Sequence, residues 1–443
     1  MGLVGLAAGS VVAEEPPSPA PAAVPAPIVA PEPAPTPAPA IIRTIEFSGN
    51  TVTRAAVMLQ EMTVAIGDPA DPARIEESRQ AIMDLGLFKS VIAEIVPVDD
   101  GVILWIRVTE KYYILPIPKL NRDEDNNISL GAQLRLDNLA GLNQQLRFTY
   151  ENERSSDDKI DDLIQIWDLE YNYPRIVGTP YQADLFVSRR KTPVGGTDAN
   201  GAPQLYRNTF DFFSVGLGRW FTKQGPSRGW RGGTSFVWQK QAIDVFEGAP
   251  AAFDGRGVGV GAFLEYTNVR NLLYSRNGRV FGWSGEFGSP GLGSDTNYTR
   301  NVFYYRAFYP VTTRPHTTIN TQAQIGISSD PLFEGATFAL GGARTLRGYD
   351  SGSITGNAFT LVNIEWLTPI KRDYYPFLGG LFLDIGNAYS SNSQMDLSDP
   401  KVGAGVALRF KLKSFVKIEL RFDYAYNFDT GEWKAYGGTR EAF

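Results

Sequence analysis

Ile418-Glu419-Leu420-Arg421-Phe422-Asp423-Tyr424-Ala425-Tyr426-Asn427-Phe428-Asp429 is the stretch that decides the fold. Ile418, Leu420, Phe422, Tyr424, Tyr426 and Phe428 fall on one side of an extended chain, and Glu419, Arg421, Asp423, Asn427 and Asp429 on the other. One face is apolar and the other charged. A soluble sandwich turns the apolar face inward, whereas a membrane barrel turns it to lipid and keeps charge in a wet lumen. Length separates the two. Alternating stretches of ten or more residues recur at 128–137, 143–152, 162–173, 180–190, 206–220, 228–240, 255–268, 278–289, 296–309, 316–328, 357–369, 376–390, 401–411, 415–429 and 432–443. Strands of soluble sheets average about five or six residues, and a strand that crosses a bilayer needs about 9 to 11. A weaker strand at 112–120 carries Pro116 and Pro118, which restrict it to an edge or seam, and it makes the total sixteen. The predicted fold is mainly β: a sixteen-stranded antiparallel transmembrane β-barrel over 112–443, preceded by a small domain.

The connectors give an orientation. Asn138–Leu142, Pro174–Thr179, Pro310–Pro315 and Leu412–Ser414 are short, as periplasmic turns are, while Lys191–Leu205, Ala242–Asp254 and Ser329–Gly356 are long, as external loops are. Composition agrees and excludes much else. The chain of 443 residues has no Cys and one His, His316, which removes disulfides, thiolate metal sites and Cys nucleophiles and leaves no histidine pair for a metal centre. No Gly-x-Ser-x-Gly elbow is present, which excludes a hydrolase of that type; no catalytic residues, metal site or cofactor are assigned, and the chain reads as a non-enzyme. With 42 Lys and Arg against 48 Asp and Glu it lacks the cationic surplus of a nucleic-acid partner. Acidic pairs Asp157-Asp158 and Asp161-Asp162 read as solvated loop charge rather than a cation site.

Ahead of the barrel, 1–13 reads as the remnant of a signal peptide: Leu3–Val12 is apolar, and Val11-Val12-Ala13 fits a cleavage site, without a basic segment before it. Residues 14–40 are almost wholly Pro and Ala and read as an extended linker. Residues 41–111 form a small domain. Ile41–Phe47 is a strand ending at Ser48-Gly49-Asn50, and Thr53 is placed to cap a helix over 54–62. A second helix starts at Pro72 and stops at Gly86, and strands 91–98 and 102–108 flank Asp99-Asp100-Gly101, a hairpin signal.

The β-α-α-β-β order, with Phe47-Ser48-Gly49-Asn50, Leu85-Gly86-Leu87-Phe88 and Val108-Thr109-Glu110, resembles a POTRA domain. Leu346-Arg347-Gly348-Tyr349, between the eleventh and twelfth strands, resembles the sixth external loop of the BamA/TamA superfamily of outer-membrane assembly and translocation barrels, the bacterial surface antigen type. Phe382-Leu383-Asp384-Ile385-Gly386 resembles that family's Phe-x-Asp-x-Gly motif, and Asp137-Asn138-Leu139-Ala140-Gly141 its first turn. Asn268-Val269-Arg270-Asn271 stands where the family often has Asp-x-Arg-Asp, so no ion pair carries over there.

The resemblance implies that Arg347, Gly348 and Tyr349 fold into the lumen, with Asp384 receiving Arg347 and Glu365 as the second acceptor. It also implies a lateral seam between the first and last strands, near Ile117 and Tyr436, with the terminal aromatic Phe443. The implied location is the outer membrane of a Gram-negative bacterium or a related organelle, with the POTRA domain in the periplasm. The implied partners are unfolded outer-membrane or secreted polypeptide clients, the lipid bilayer, and periplasmic chaperones or accessory lipoproteins. Assembly and insertion of outer-membrane proteins is the first expectation. Export of a dedicated partner, as in two-partner secretion, and a passive pore or a relative of patatin-fused barrels stay open.

Overall fold

The computed structural model describes residues 40–443 apart from 123–127, 155–163, 198–202, 223, 248–252, 312–313, 330–336, 372–373, 417 and 440–443. The readings of 1–13, of nearly all of 14–40, of Asp157, Asp158, Asp161 and Asp162, and of Phe443 lie outside the described residues.

The small domain is a three-stranded sheet carrying two helices. β1 (Ile42–Ser48) runs parallel to β3 (Gly101–Glu110), which pairs antiparallel with β2 (Phe88–Val98), giving the order β1-β3-β2. β2 and β3 meet at Val98 and Gly101 across the Asp99-Asp100 turn. Helix α2 (Pro72–Asp84) has Pro72 in its first turn, where no amide is missed, and Asp71 accepts from Ala73 N at 2.9 Å. Its Ile75, Ser78, Ala81, Ile82 and Met83 are buried. Of these, Ile75, Ile82 and Met83 pack with Met58, Leu87, Phe88, Leu104 and Ile106 into a core that also takes in Tyr113 and Val416. Helix α1 (Ala55–Leu59) is shorter than predicted, and Thr53 does not cap it. Instead the Glu110 carboxylate accepts from the amides of Thr51 (3.1 Å), Val52 (3.0 Å) and Thr53 (2.7 Å), which fixes the loop leading into the helix.

The remaining chain forms one sixteen-stranded antiparallel sheet. Its strands are β4 (Ile114–Arg122), β5 (Ile128–Leu139), β6 (Gln144–Arg154), β7 (Ile164–Tyr173), β8 (Tyr181–Thr197), β9 (Pro203–Trp220), β10 (Gly229–Glu247), β11 (Phe253–Asn271), β12 (Arg276–Gly288), β13 (Tyr298–Pro310), β14 (Thr318–Ser328), β17 (Ala358–Lys371), β18 (Tyr374–Tyr389), β19 (Lys401–Lys411), β20 (Glu419–Asn427) and β21 (Trp433–Gly438). A hairpin, β15 (Phe338–Leu340) with β16 (Ile354–Gly356), lies between β14 and β17. Two predicted loops are corrected. Much of 191–205 and 242–254 is strand, because β8 pairs with β9 out to Thr197–Pro203 and β10 with β11 out to Ile243–Phe253. The alternation weakens there, but backbone pairing carries the hairpins onward. The last two strands are shorter than the predicted 415–429 and 432–443.

Burial is inverted relative to a soluble sheet. Phe148, Leu217, Phe236, Phe303, Trp366, Leu381 and Phe422 are exposed on one face, while Gln133, Thr149, Gln239, Gln322, Asn363 and Arg409 are buried on the other. Only a sheet with lipid outside and polar side chains inside is at ease with that pattern. The sheet also curls: Tyr112, just before β4, bridges Phe415 in the turn between β19 and β20, and Tyr112 N donates to Ser414 O at 2.7 Å.

Candidate functional site: the loop tip, the rim and the open edge

The Gly-rich tip between β15 and β16 lies on the inner face. Gly341, Gly342 and Gly348 take positive φ (106°, 84° and 99°), which turns the chain sharply enough to bring Arg347 down to the strands. Arg347 is 1% exposed. Its Nε and Nη2 grip Asp384 at 2.6 and 2.8 Å, a two-pronged pair, and its amide donates to the same carboxylate at 3.1 Å. Nη1 reaches Glu365 at 3.2 Å and Asp423 at 3.5 Å, and the guanidinium lies 3.5 Å from the centre of the Phe382 ring. Asn363 Nδ2 braces both sides, donating to Thr345 O (2.6 Å) and Asp384 Oδ1 (2.8 Å).

Behind Arg347 stands a second cation. Arg409 pairs with Glu365 and donates to Asp423 at 2.8 Å, and Arg421 Nε donates to the other Asp423 oxygen at 2.8 Å. Arg347, Arg409 and Arg421 thus face Glu365, Asp384 and Asp423, so buried charge is balanced within one cluster. Sequence reading singled out Arg347, Asp384 and Glu365 but not Arg409 or the pairing of Arg421 with Asp423. The available signal was parity: Arg421 and Asp423 share the charged face of the 418–429 stretch.

The tip also touches the last strand. Gly348 N donates to Tyr436 Oη at 2.9 Å, and that hydroxyl donates to Tyr349 O at 3.0 Å. Asn427 Nδ2 donates to Gly348 O at 3.1 Å, Lys434 pairs with Asp350, and Val402 N donates to Tyr349 Oη at 3.1 Å. Tyr436 is therefore brought to the loop tip.

At the sheet's other extremity, no ladder joins β4 to β21 among the described residues. Asp137 N donates to Tyr113 O at 2.7 Å, and the β4–β5 register then runs unbroken from Ile114–Leu136 to Arg122–Ile128. In an antiparallel ladder this phase gives the odd residues of β4 to β5 and turns the backbone groups of even residues toward the open edge. Pro116 and Pro118 are both even, so each deletes a donor from that edge.

The small domain seats on the rim formed by the short turns. Arg54 N and Nε donate to Gly141 O (3.0 Å) and Ala140 O (3.1 Å), and Asn138 Nδ2 donates to Thr53 Oγ1 at 2.8 Å. Glu61, 1% exposed, accepts from Ser227 N (2.5 Å) and Oγ (2.7 Å) and from Arg175 at 3.4 Å. Burial pushes its carboxyl above the usual range despite those partners. Asp84 pairs with Arg228 and accepts from Asn271 N at 2.8 Å, which gives Asn271 a role that its departure from the Asp-x-Arg-Asp pattern had left open. Among the described residues no cluster of His, Cys, Asp and Glu has the form of a metal site.

Comparison with known proteins follows the same division. Residues 138–438 match the model of the Omp85 superfamily domain, and residues 40–111 match that of the surface antigen variable number repeat, POTRA. The chain is similar to an outer membrane protein assembly factor BamA from Nitratidesulfovibrio vulgaris, 22% identical over 425 residues, covering 88% of this chain and 49% of the relative. A BamA from Neorickettsia risticii is 38% identical over 71 residues, 16% of this chain and 10% of that one. The chain thus spans about half the length, or less, of the curated relatives it matches. Among solved structures, CdiB from Escherichia coli has a TM-score of 0.61 at 15% identity, covering 90% of this chain and 74% of that one. BamA from Haemophilus ducreyi lacking POTRA domains 1–3 has 0.50 at 17%, covering 90% and 84%.

Proposed function

We propose that this chain, which belongs to the Omp85 superfamily, assembles or inserts polypeptides at the outer membrane through its POTRA domain and a laterally opening barrel seam. It is an outer-membrane protein of the Gram-negative envelope, with the POTRA domain on the periplasmic side. In this reading 14–40 is a tether, 41–111 the client-facing module and 112–443 the barrel; the clients are unfolded outer-membrane or secreted polypeptides, and the work is not enzymatic. Burying a client's apolar strands in lipid supplies the driving force, at about 25 cal/mol per Å².

The observation that carries the reading is the open edge: β4 has two of its outward donors replaced by proline, and β21 holds only six residues of pairing to β20. A strand with missing donors pairs weakly with its neighbour and exchanges readily for another. The loop tip supports it from inside, because Arg347 and Tyr436 give β20 and β21 an attachment that survives loss of the seam. On the POTRA sheet, β2 is an edge with Ile92, Ile95, Val96 and Val98 exposed, a surface suited to adding an extended client strand.

The test is a set of Cys pairs joining Ile117 to positions 434–438, in protein reconstituted into liposomes and challenged with an unfolded outer-membrane client. Oxidation is expected to stop client insertion, and reductant to restore it. Undiminished insertion in the cross-linked protein would reject lateral opening, and client passage into the liposome lumen would favour export of a dedicated partner.

A further inference from the structure

Several outward-facing cations toward the external end of the barrel have a carboxylate: Arg189 meets Asp211 at 3.0 Å, Lys240 meets Asp254 at 3.0 Å and Arg256 meets Asp295 at 3.6 Å. At the periplasmic end Arg270, near the close of β11, and Arg279, near the start of β12, are exposed and have no hydrogen bond or ion pair among the described residues. Register places both on the lipid-facing row. Arg270 pairs with Asn277 and Arg279 with Asn268, so the two arginines are diagonal neighbours with two asparagines between them.

The surroundings complete a site. Across from Arg279, Ala307 is fully buried although it lies on the outward row, so the larger side chains around it close over it. Those at two residues on either side are Tyr305 and Tyr309, whose hydroxyls are 2.8 Å apart. Glu76 of α2, whose charge reaches Arg270, is already held by Arg79 at 2.8 and 2.7 Å. Two residues above Arg279, Phe281 stacks with Tyr266 and meets Trp230 edge-on, opening the apolar band. With strand rise and barrel tilt, the backbone of Arg279 lies about 5 Å and that of Arg270 about 10 Å below that band.

We infer that Arg270 and Arg279, with the Tyr305 and Tyr309 hydroxyls, bind the phosphodiester of a phospholipid in the periplasmic leaflet. Two planar forks offer donors to phosphate oxygens, and the adjoining aromatic strip receives the acyl chains. Position selects the ligand: two diagonal arginines, neither in an ion pair or hydrogen bond among the described residues, sit on the outward row at the periplasmic end, where lipid phosphates are.

The test titrates phosphatidylglycerol into the full chain in neutral detergent and reads retained lipid by native mass spectrometry. The double variant R270Q/R279Q is expected to hold the lipid about tenfold more weakly, the loss of a charge-assisted contact. R219Q, which removes another exposed rim cation, is expected to bind like the parent. Folding is checked by heat-modifiable mobility. If the double variant does not fold, R279K takes its place, keeping charge without the fork, and is expected to bind more weakly. Parent-like binding by R270Q/R279Q or R279K would overturn the site. An equal loss in R219Q would reduce it to general rim charge, and displacement by an equal concentration of glycerol 3-phosphate would reassign it to a soluble phosphate.

Discussion

The loop tip and the seam lie on neighbouring strands, yet one is saturated with bonds and the other is short of them. Around Arg347, three carboxylates and three guanidiniums neutralise one another out of contact with water. Between β4 and β21 no ladder forms among the described residues, and prolines at 116 and 118 keep two donors from ever being offered. The difference teaches that polar groups are rationed by position. Around the tip the buried charges answer one another; at the edge of β4 the backbone itself is left short of donors.

Substitutions can break that contrast from either side. The largest effect is expected at the tip. Arg347→Ala takes the guanidinium from Asp384, leaving it only amide donors, and should cost about 3–5 kcal/mol, read by urea unfolding in detergent and by protease access to 341–353. Asp384→Ala should be comparable, and the double variant should cost less than the sum, since neither charge is then stranded. Glu365→Ala, which also releases Arg409, should couple to both arginines; additivity of Arg347 and Asp384 would move the anchor to Glu365.

At the rim, Glu61→Ala should cost about 2 kcal/mol, because Arg175 keeps its bond to Gly225 O at 2.7 Å. Faster hydrogen exchange at 221–229, with the tip unchanged, is the expected result. At the seam the sign reverses: Pro116→Val with Pro118→Val restores donors and should stabilise closure by about 1 kcal/mol while slowing client insertion. Tyr436→Phe should loosen β21 by a similar amount, seen as faster exchange of 433–438.

The smallest effects are in pH. Burial first raises the Glu110 carboxyl, but bonds from Thr53, Thr51 and Val52 outweigh it and hold the group below its ordinary value. Its contribution is therefore present above the unfolded value and lost as pH falls through the folded one. Glu61 is raised, so its contribution is present below the unfolded value and lost as pH rises through the folded one. Glu110→Gln and Glu61→Gln should each remove one of these opposed slopes in POTRA unfolding monitored by exchange.

The strand count and the tip motif were legible because period-two alternation and a Gly-Gly-Ala-Arg-Thr-Leu-Arg-Gly-Tyr run are local. Arg409 was not, since its partners Glu365 and Asp423 lie 44 and 14 residues away and only register sets them together. The hold of Glu110 on the loop ahead of α1 escaped for the same reason: its amides are 57 to 59 residues distant, so the local rule favoured Thr53. The phase of Pro116 and Pro118 was hidden as well. Composition says that a donor is missing, but only the pairing of Tyr113 with Asp137 says on which side.

The spacing of the anchor's partners along the chain gives it a place in folding time. Arg347 meets Glu365, Asp384 and Asp423 at separations of 18, 37 and 76 residues, whereas Arg175 and Ser227 reach Glu61 across 114 and 166. Loop closure grows costlier with length, so the tip's hairpins close early among themselves, while seating of the N-terminal module waits on longer closures. Arg347 nonetheless lacks its full set of acceptors until residue 423 has joined the sheet. The anchor is therefore complete only once β20 is in place: a sheet that stops before it leaves Arg347 without Asp423.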